Sequence, residues 1–224
     1  MIPLRDEIRA VHRPIVTYIL LGLNIAVFLY EISLGRGTGD FFLKFGAVPY
    51  NLFHPTGPAV YLTLVSSMFL HGGFAHILGN MLFLWVFADN VEDRIGHVKF
   101  LFFYLACGIA GALLHAATAT ASRTPMVGAS GAISGILGAY ILLYPRARVL
   151  TLVPIGFFMR TAYLPAFLFL GIWILYQVLL GLLSFGTSAG VAYFAHIGGF
   201  AAGLLLVLPF KFIRAKGPAE YSVF

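Results

Sequence analysis

Ser130 stands among small residues in Gly128-Ala129-Ser130-Gly131-Ala132-Ile133-Ser134-Gly135 at the head of one apolar stretch, and His196 interrupts a later one. A serine so flanked keeps its hydroxyl accessible. An imidazole at membrane depth is costly unless it is used, and a histidine that takes the serine proton turns the hydroxyl into a nucleophile. The pair points to hydrolysis inside a membrane.

Acyl transfer also needs donors for the oxyanion. His76 and Asn80 share a helical face at i and i+4, following His71 in His71-Gly72-Gly73-Phe74-Ala75-His76. With the Ser130 backbone N–H they could form that pocket; the alternative is polar residues satisfying one another between helices. A third group to orient the histidine cannot be an acid from nearby sequence, because no Asp or Glu lies between Asp93 and Glu220. The expected machinery is therefore a Ser-His dyad with His196 as general base and then general acid.

Other chemistries fit less well. His76 is followed by Ile77, which breaks a His-Glu-x-x-His zinc site, and paired mid-span aspartates are missing. His115 reads as a structural hydrogen bonder, and His12, His54 and His97 as flanking or loop residues outside any constellation.

Helices must bring the serine and histidine together. The chain is 60% hydrophobic and 10% charged, with 25 glycines and 22 phenylalanines, the composition of a polytopic membrane protein. Windows of about 20 apolar residues place spans at 14–34, 70–88, 98–120, 127–145, 162–184 and 190–210, in one all-α domain over residues 1–224. The fourth and sixth spans both begin outside. Ser130 lies just below the start of one, and His196 lies roughly 9 Å below Gly190 in the other, at 1.5 Å per residue. Small residues at intervals of four, Gly131, Gly135 and Ala139 facing Ala195, Gly199 and Gly203, let the two helices approach. Generic packing explains those glycines but not the serine and histidine beside them.

The formal charge of +6 is sorted by loop rather than gathered into a nucleic-acid surface. Arg5, Arg9, Arg13, Arg94, Lys99, Arg146, Arg148, Arg160, Lys211, Arg214 and Lys216 fall on one side, and only Arg36, Lys44 and Arg123 on the other, which puts both termini in the cytoplasm. The basic side is drawn to the acidic lipid of the inner leaflet. The single cysteine, Cys107, reads as packing, and the first span as a retained anchor rather than a removable signal.

The outer loop over 35–69, with Phe41, Phe42, Leu43, Phe45, Val48, Tyr50, Leu52 and Phe53, is expected to lie partly in the membrane interface or to fold on itself. Pro145, Pro154 and Pro165 punctuate the link to the fifth span. That span, with Phe167, Phe169, Trp173 and Tyr176, shows no polar anchor toward the centre and is expected to be the mobile wall that admits a substrate helix. Internal repeats and acids in the last three spans are absent, which disfavours a channel or transporter.

These residues resemble the rhomboid intramembrane serine proteases. The resemblance rests on His71 to Met81 (HGGFAHILGNM), Asn90-Val91-Glu92-Asp93-Arg94, GASGAISG at 128–135, and AHIGGFAAG at 195–203, in the family's order and over most of the chain. It implies a six-helix bundle with Ser130 as nucleophile, His196 as base, and His76 and Asn80 helping the Ser130 amide at the oxyanion. It implies transmembrane protein substrates cut toward the outer face, often after a small residue, and neither metal nor organic cofactor. Two features depart from the family pattern: Leu62 and Thr63 stand where many relatives carry Trp-Arg, and Ser134 where some carry a tyrosine that packs on the histidine. A catalytically silent, client-binding relative is the alternative function, and a prokaryotic inner membrane the expected location.

Overall fold

Backbone polar groups cannot go unpaired in hydrocarbon, so long apolar runs fold as helices. The computed structural model describes residues 1–156, 158–185 and 191–211. The helices are α1 (Ile15–Ser33), α2 (Thr38–Phe45), α3 (Pro49–Phe53), α4 (Thr63–Ser66), α5 (Phe74–Ile95), α6 (His97–Thr118), α7 (Ser130–Leu143), α8 (Ala166–Leu183), α9 (Tyr193–Leu206) and α10 (Leu208–Lys211). Strands β1 (Ile2–Asp6), β2 (Arg148–Ile155) and β3 (Phe158–Pro165) form an antiparallel sheet in the order β1-β2-β3.

Among the described residues four helices, α1, α5, α6 and α8, are long and apolar enough to cross a membrane. The other two expected spans are shorter: α7 and α9 have 14 residues each, about 21 Å of rise against a hydrocarbon core of ~30 Å. α7 is enclosed rather than lipid-facing, whereas α9 exposes Leu205 and Leu206 near its end. α7 packs against α5, α6, α8 and α9, and every residue from Gly131 to Tyr140 is buried. Gly190, the expected start of the last span, and Arg214 and Lys216 lie outside the described residues.

The all-α expectation is corrected by the sheet. The stretch read as a loop running into the fifth span at 162 is a hairpin, with Arg148 opposite Pro165 and Ile155 opposite Phe158, turned at Gly156 (φ +59°). Its β-branched run of Val149, Thr151 and Val153 suits a strand, and Pro165 ends the hairpin where α8 begins. β1 adds to the same sheet, pairing Ile2 with Leu152 and Asp6 with Val149.

The second span is also displaced from 70–88, because α5 runs on through polar residues to Ile95. That extension caps other elements. Pro14 offers α1 no side-chain cap, and Glu92, fully buried, accepts instead from the N–H groups of Val16 (2.8 Å) and Thr17 (2.7 Å) and from the Thr17 hydroxyl (2.6 Å). His97 Nδ1 meets the same carboxylate at 2.5 Å. Asp93 accepts from the N–H groups of Val11 and His12 and meets His12 Nδ1 at 2.6 Å. Arg94 donates to the carbonyls of Phe210 and Lys211, while Asn90 donates to Asp6, which also accepts from the Tyr140 hydroxyl. His12 and His97, read from sequence as outside any constellation, are members of this clasp.

The loop over 35–69 divides between the two expected readings. Val48, Leu52 and Leu64 are buried, and Leu52 and Leu64 share a small core with Ala47, Ala112 and Ala116. Ala47 and Met126 exchange both backbone hydrogen bonds. Leu43, Phe53, Tyr61 and Leu62 point outward.

Candidate active site

Ser130 is the first residue of α7, so its N–H is one of the orphan donors at the positive end of a helix. The approach to it is held by Gly128, whose N–H donates to the Ser67 carbonyl at 2.9 Å. Gly128 has φ +126°, and a Cβ there would come within 2.7 Å of His76 Nε2. Glycine is therefore required at 128 on two counts, conformation and space.

The seam between α7 and α9 is as close as the small residues suggest. A Cβ on Gly199 would fall on the Gly131 carbonyl oxygen, and one on Gly203 on that of Gly135. Cys107, fully buried, fills the space beside Gly135. This contact carries His196 to Ser130: His196 Nε2 lies 2.8 Å from Ser130 Oγ.

The rest of the imidazole is held by α8. His196 Nδ1 lies 2.7 Å from Gln177 Oε1, and the Trp173 ring stands 5.9 Å from the imidazole at 37°. The expectation that the fifth span lacks a polar anchor toward the centre is thus corrected. Ser134 gives the ring no support, because its hydroxyl donates to the Ser130 carbonyl one turn back, at 2.6 Å. Gln177 was missed because hydropathy averages over a window. The signal available was one amide four residues after Trp173 in an otherwise apolar helix.

His76 and Asn80 face the same place from α5. The Gly72 N–H donates to His76 Nδ1 at 3.3 Å, so the neutral ring carries its proton on Nε2, the nitrogen turned to Gly128. Asn80 is buried, and its Nδ2 has no hydrogen-bond partner among the described residues. An amide donor sheltered from water without an acceptor is costly, by about 1–3 kcal/mol, and an arriving oxyanion removes that cost. Behind His76, the buried His71 ring lies edge-on at 5.2 Å, and Glu31 of α1 accepts the His71 backbone N–H. His115 does not behave as the expected hydrogen bonder at Nδ1, which is buried without a partner among the described residues.

Next to Ser130 is a cavity of about 30 Å³ walled by Ser67, Met68, Gly108, Met126, Ala132 and Ala195. Its size is set by Gly108, where a Cβ would meet the Met68 side chain. Together these groups offer a hydroxyl with a proton acceptor on one side, hydrogen-bond donors on the other and room for a small side chain between. This is the arrangement that acyl transfer needs.

The family model described as the rhomboid domain matches residues 58–211. The chain is 36% identical over 145 residues to Rhomboid protease GluP of Bacillus subtilis, covering 64% of this chain and 27% of that one. It is 31% identical over 203 residues to Rhomboid protein 1, mitochondrial, of Saccharomyces cerevisiae, covering 87% and 53%. Against RHOMBOID-like protein 4 of Arabidopsis thaliana the identity is 34% over 150 residues, covering 64% and 32%. The chain thus spans about half or less of the length of these relatives. They come from a bacterium, a yeast and a plant, so they support an integral membrane protein without singling out a prokaryotic inner membrane.

Proposed function

We propose, from the premise that this chain belongs to the rhomboid family, that it is an intramembrane serine endopeptidase acting through Ser130 and His196. The observation that carries the proposal is the 2.8 Å approach of Ser130 Oγ to His196 Nε2.

In this reading the Ser130 hydroxyl gives its proton to Nε2 as Oγ attacks the scissile carbonyl carbon. The carbonyl oxygen takes the negative charge and accepts from the Ser130 N–H, His76 Nε2–H and Asn80 Nδ2. Collapse of the tetrahedral intermediate breaks the C–N bond, and the amine leaves with the proton from His196. Water then gives a proton to Nε2 as it attacks the acyl-enzyme, and Ser130 recovers its proton on release.

The substrate is a membrane protein cut in or near a transmembrane segment. A cavity of about 30 Å³, narrowed by the Met68 side chain beside Gly108, supports a preference for a small residue before the cut. The enzyme is read as one domain over 1–224 that crosses the bilayer six times with both termini inside and Ser130 toward the outer face. Support comes from β1 pairing with β2 and from the basic residues grouped around the sheet and the inner end of α5. No metal or organic cofactor enters the chemistry.

The test uses purified protein in vesicles with a transmembrane substrate and a fluorophosphonate probe. Cleavage and labelling are expected for the wild type and neither for Ser130→Ala. A normally folded Ser130→Ala protein that keeps both signals rules the proposal out; one that loses neither a cellular effect nor client binding supports the silent, client-binding alternative.

A further inference from the structure

We propose that Gln177 is the positioning residue of this site, holding His196 in the tautomer and orientation that make it a base toward Ser130. The inference rests on the serine protease reading above. Its structural basis is separate: a 2.7 Å contact between Gln177 Oε1 and His196 Nδ1, on the side of the ring away from the serine.

An imidazole accepts a proton at Nε2 only if Nδ1 carries the hydrogen. A carbonyl oxygen at Nδ1 selects that tautomer, because it can accept but not donate. Were the amide reversed, its NH₂ would donate to Nδ1, the ring hydrogen would move to Nε2, and the ring would face the serine hydroxyl with a donor. Gln177 is buried, so water does not compete for this contact.

The surroundings leave this task to α8. Ser134 spends its hydroxyl on its own helix, and α7 to α9 contain no carboxylate. Trp173 and Gln177 lie at i and i+4 on one face of α8, so a single helix supplies both the edge contact and the ring contact to His196. The same face is fixed in place at both ends. Phe169 and Trp173 pack on Phe83 of α5 at 6.3 and 6.4 Å, and Gly181 brings α8 against α9, where a Cβ would stand 3.3 Å from the Ile197 side chain and 3.4 Å from that of Tyr193.

An amide suits a site at this depth better than a carboxylate would. A buried carboxylate carries a large desolvation cost through every resting state, whereas the amide offers a fixed dipole to the imidazolium only while it exists. The arrangement parallels the Cys-His-Asn order found in papain-like proteases. One consequence is that displacement of α8 away from α9 takes Gln177 and Trp173 from the ring together, so the base is complete only when α8 is seated.

The experiment compares wild type, Gln177→Leu and Gln177→Glu in vesicles by steady-state cleavage, fluorophosphonate labelling and thermal unfolding. Gln177→Leu is expected to lower kcat and the labelling rate by on the order of 10²-fold with little change in KM, less than the ~10⁴-fold seen when a charged partner is neutralised in a triad. Gln177→Glu keeps an acceptor and adds charge, which favours the imidazolium; the acid limb of its pH–rate profile therefore moves to higher pH. A folded Gln177→Leu protein with wild-type kcat and labelling overturns the proposal. If Gln177→Leu does not fold, an acid limb unmoved in Gln177→Glu overturns it. Cleavage that survives Ser130→Ala in parallel refutes the protease reading instead, so the two failures are told apart.

Discussion

Substituting Gly199 with alanine tests whether the spacing of two helices sets the geometry of the serine and histidine. An added Cβ at 199 lies 2.8 Å from the Gly131 carbonyl carbon and closer still to its oxygen. Carbon atoms in good contact sit ~3.5–4.0 Å apart, so the helices must separate locally by about 1 Å. Backbone atoms cannot rotate out of the way as a side chain would. The Ser130–His196 contact of 2.8 Å would open beyond the ~3.2 Å limit of a good hydrogen bond. A 1 Å misplacement of reacting groups costs about 10²-fold in rate, and overpacking costs about 1–3 kcal/mol of stability. The assay is the rate of fluorophosphonate labelling together with the unfolding temperature, in detergent and in vesicles. Gly171→Ala is the control, since a Cβ there meets nothing within 4 Å. Gly203→Ala introduces the same kind of clash, against Gly135, one turn farther from the site, and should cost similar stability with a smaller loss of rate. A Gly199→Ala protein that labels and unfolds like the wild type refutes the argument that this seam positions the site.

Asn80→Ala removes a donor from the proposed oxyanion pocket and should lower kcat by ~10²–10³-fold with KM nearly unchanged, measured by steady-state cleavage; a change confined to KM counts against the assignment. Glu92→Ala leaves two backbone N–H groups, the Thr17 hydroxyl and His97 without their acceptor, and should destabilise by about 3 kcal/mol or more while the folded fraction retains wild-type activity, read by unfolding and active-site titration. Burial, with the nearby Asp89 charge assisting and the Tyr140 hydrogen bond opposing, raises Asp6 from 3.8 to about 7. Across that range the folded state keeps a proton that the unfolded state has released, so this group's effect is to lower stability as pH rises, fully so above about 7. Asp6→Asn should therefore gain in unfolding temperature relative to wild type as pH rises from about 4 to about 7; a constant difference across that range argues against the assigned cause.

The parts of this site that follow a regular spacing were legible in the chain. Gly131 and Gly135 facing Gly199 and Gly203 project directly onto one face of each helix, and so did the match in depth of Ser130 and His196. What stayed hidden depends on which elements meet. Gln177 is a lone amide in an apolar helix, and nothing in its own spacing says that the ring of His196 lies across from it. Asn90 to Arg94 were visible as a motif, but their role as caps for α1 and α10 exists only once those ends are brought to the inner end of α5. The strand Arg148–Ile155 misled for a different reason. A short apolar run punctuated by prolines satisfies a connecting loop and a strand equally, and only pairing with β1 and β3 decides between them.

The difference in helix length has a functional consequence of its own. Leu23, Trp85, Phe102 and Leu175, on the four long helices, are exposed and face outward as a lipid-facing surface requires. α7 touches little but protein, and at about 21 Å of rise for its 14 residues it cannot reach both faces of a ~30 Å core. It is instead enclosed by α5, α6, α8 and α9, which keep acyl chains away from it. The positive end of α7, the His76 ring and the Asn80 amide meet at the Ser130 end of that helix, where in the proposed reaction they would stabilise developing charge with bulk water limited. The short helix that makes a poor membrane span begins with the hydroxyl that lies 2.8 Å from His196 Nε2.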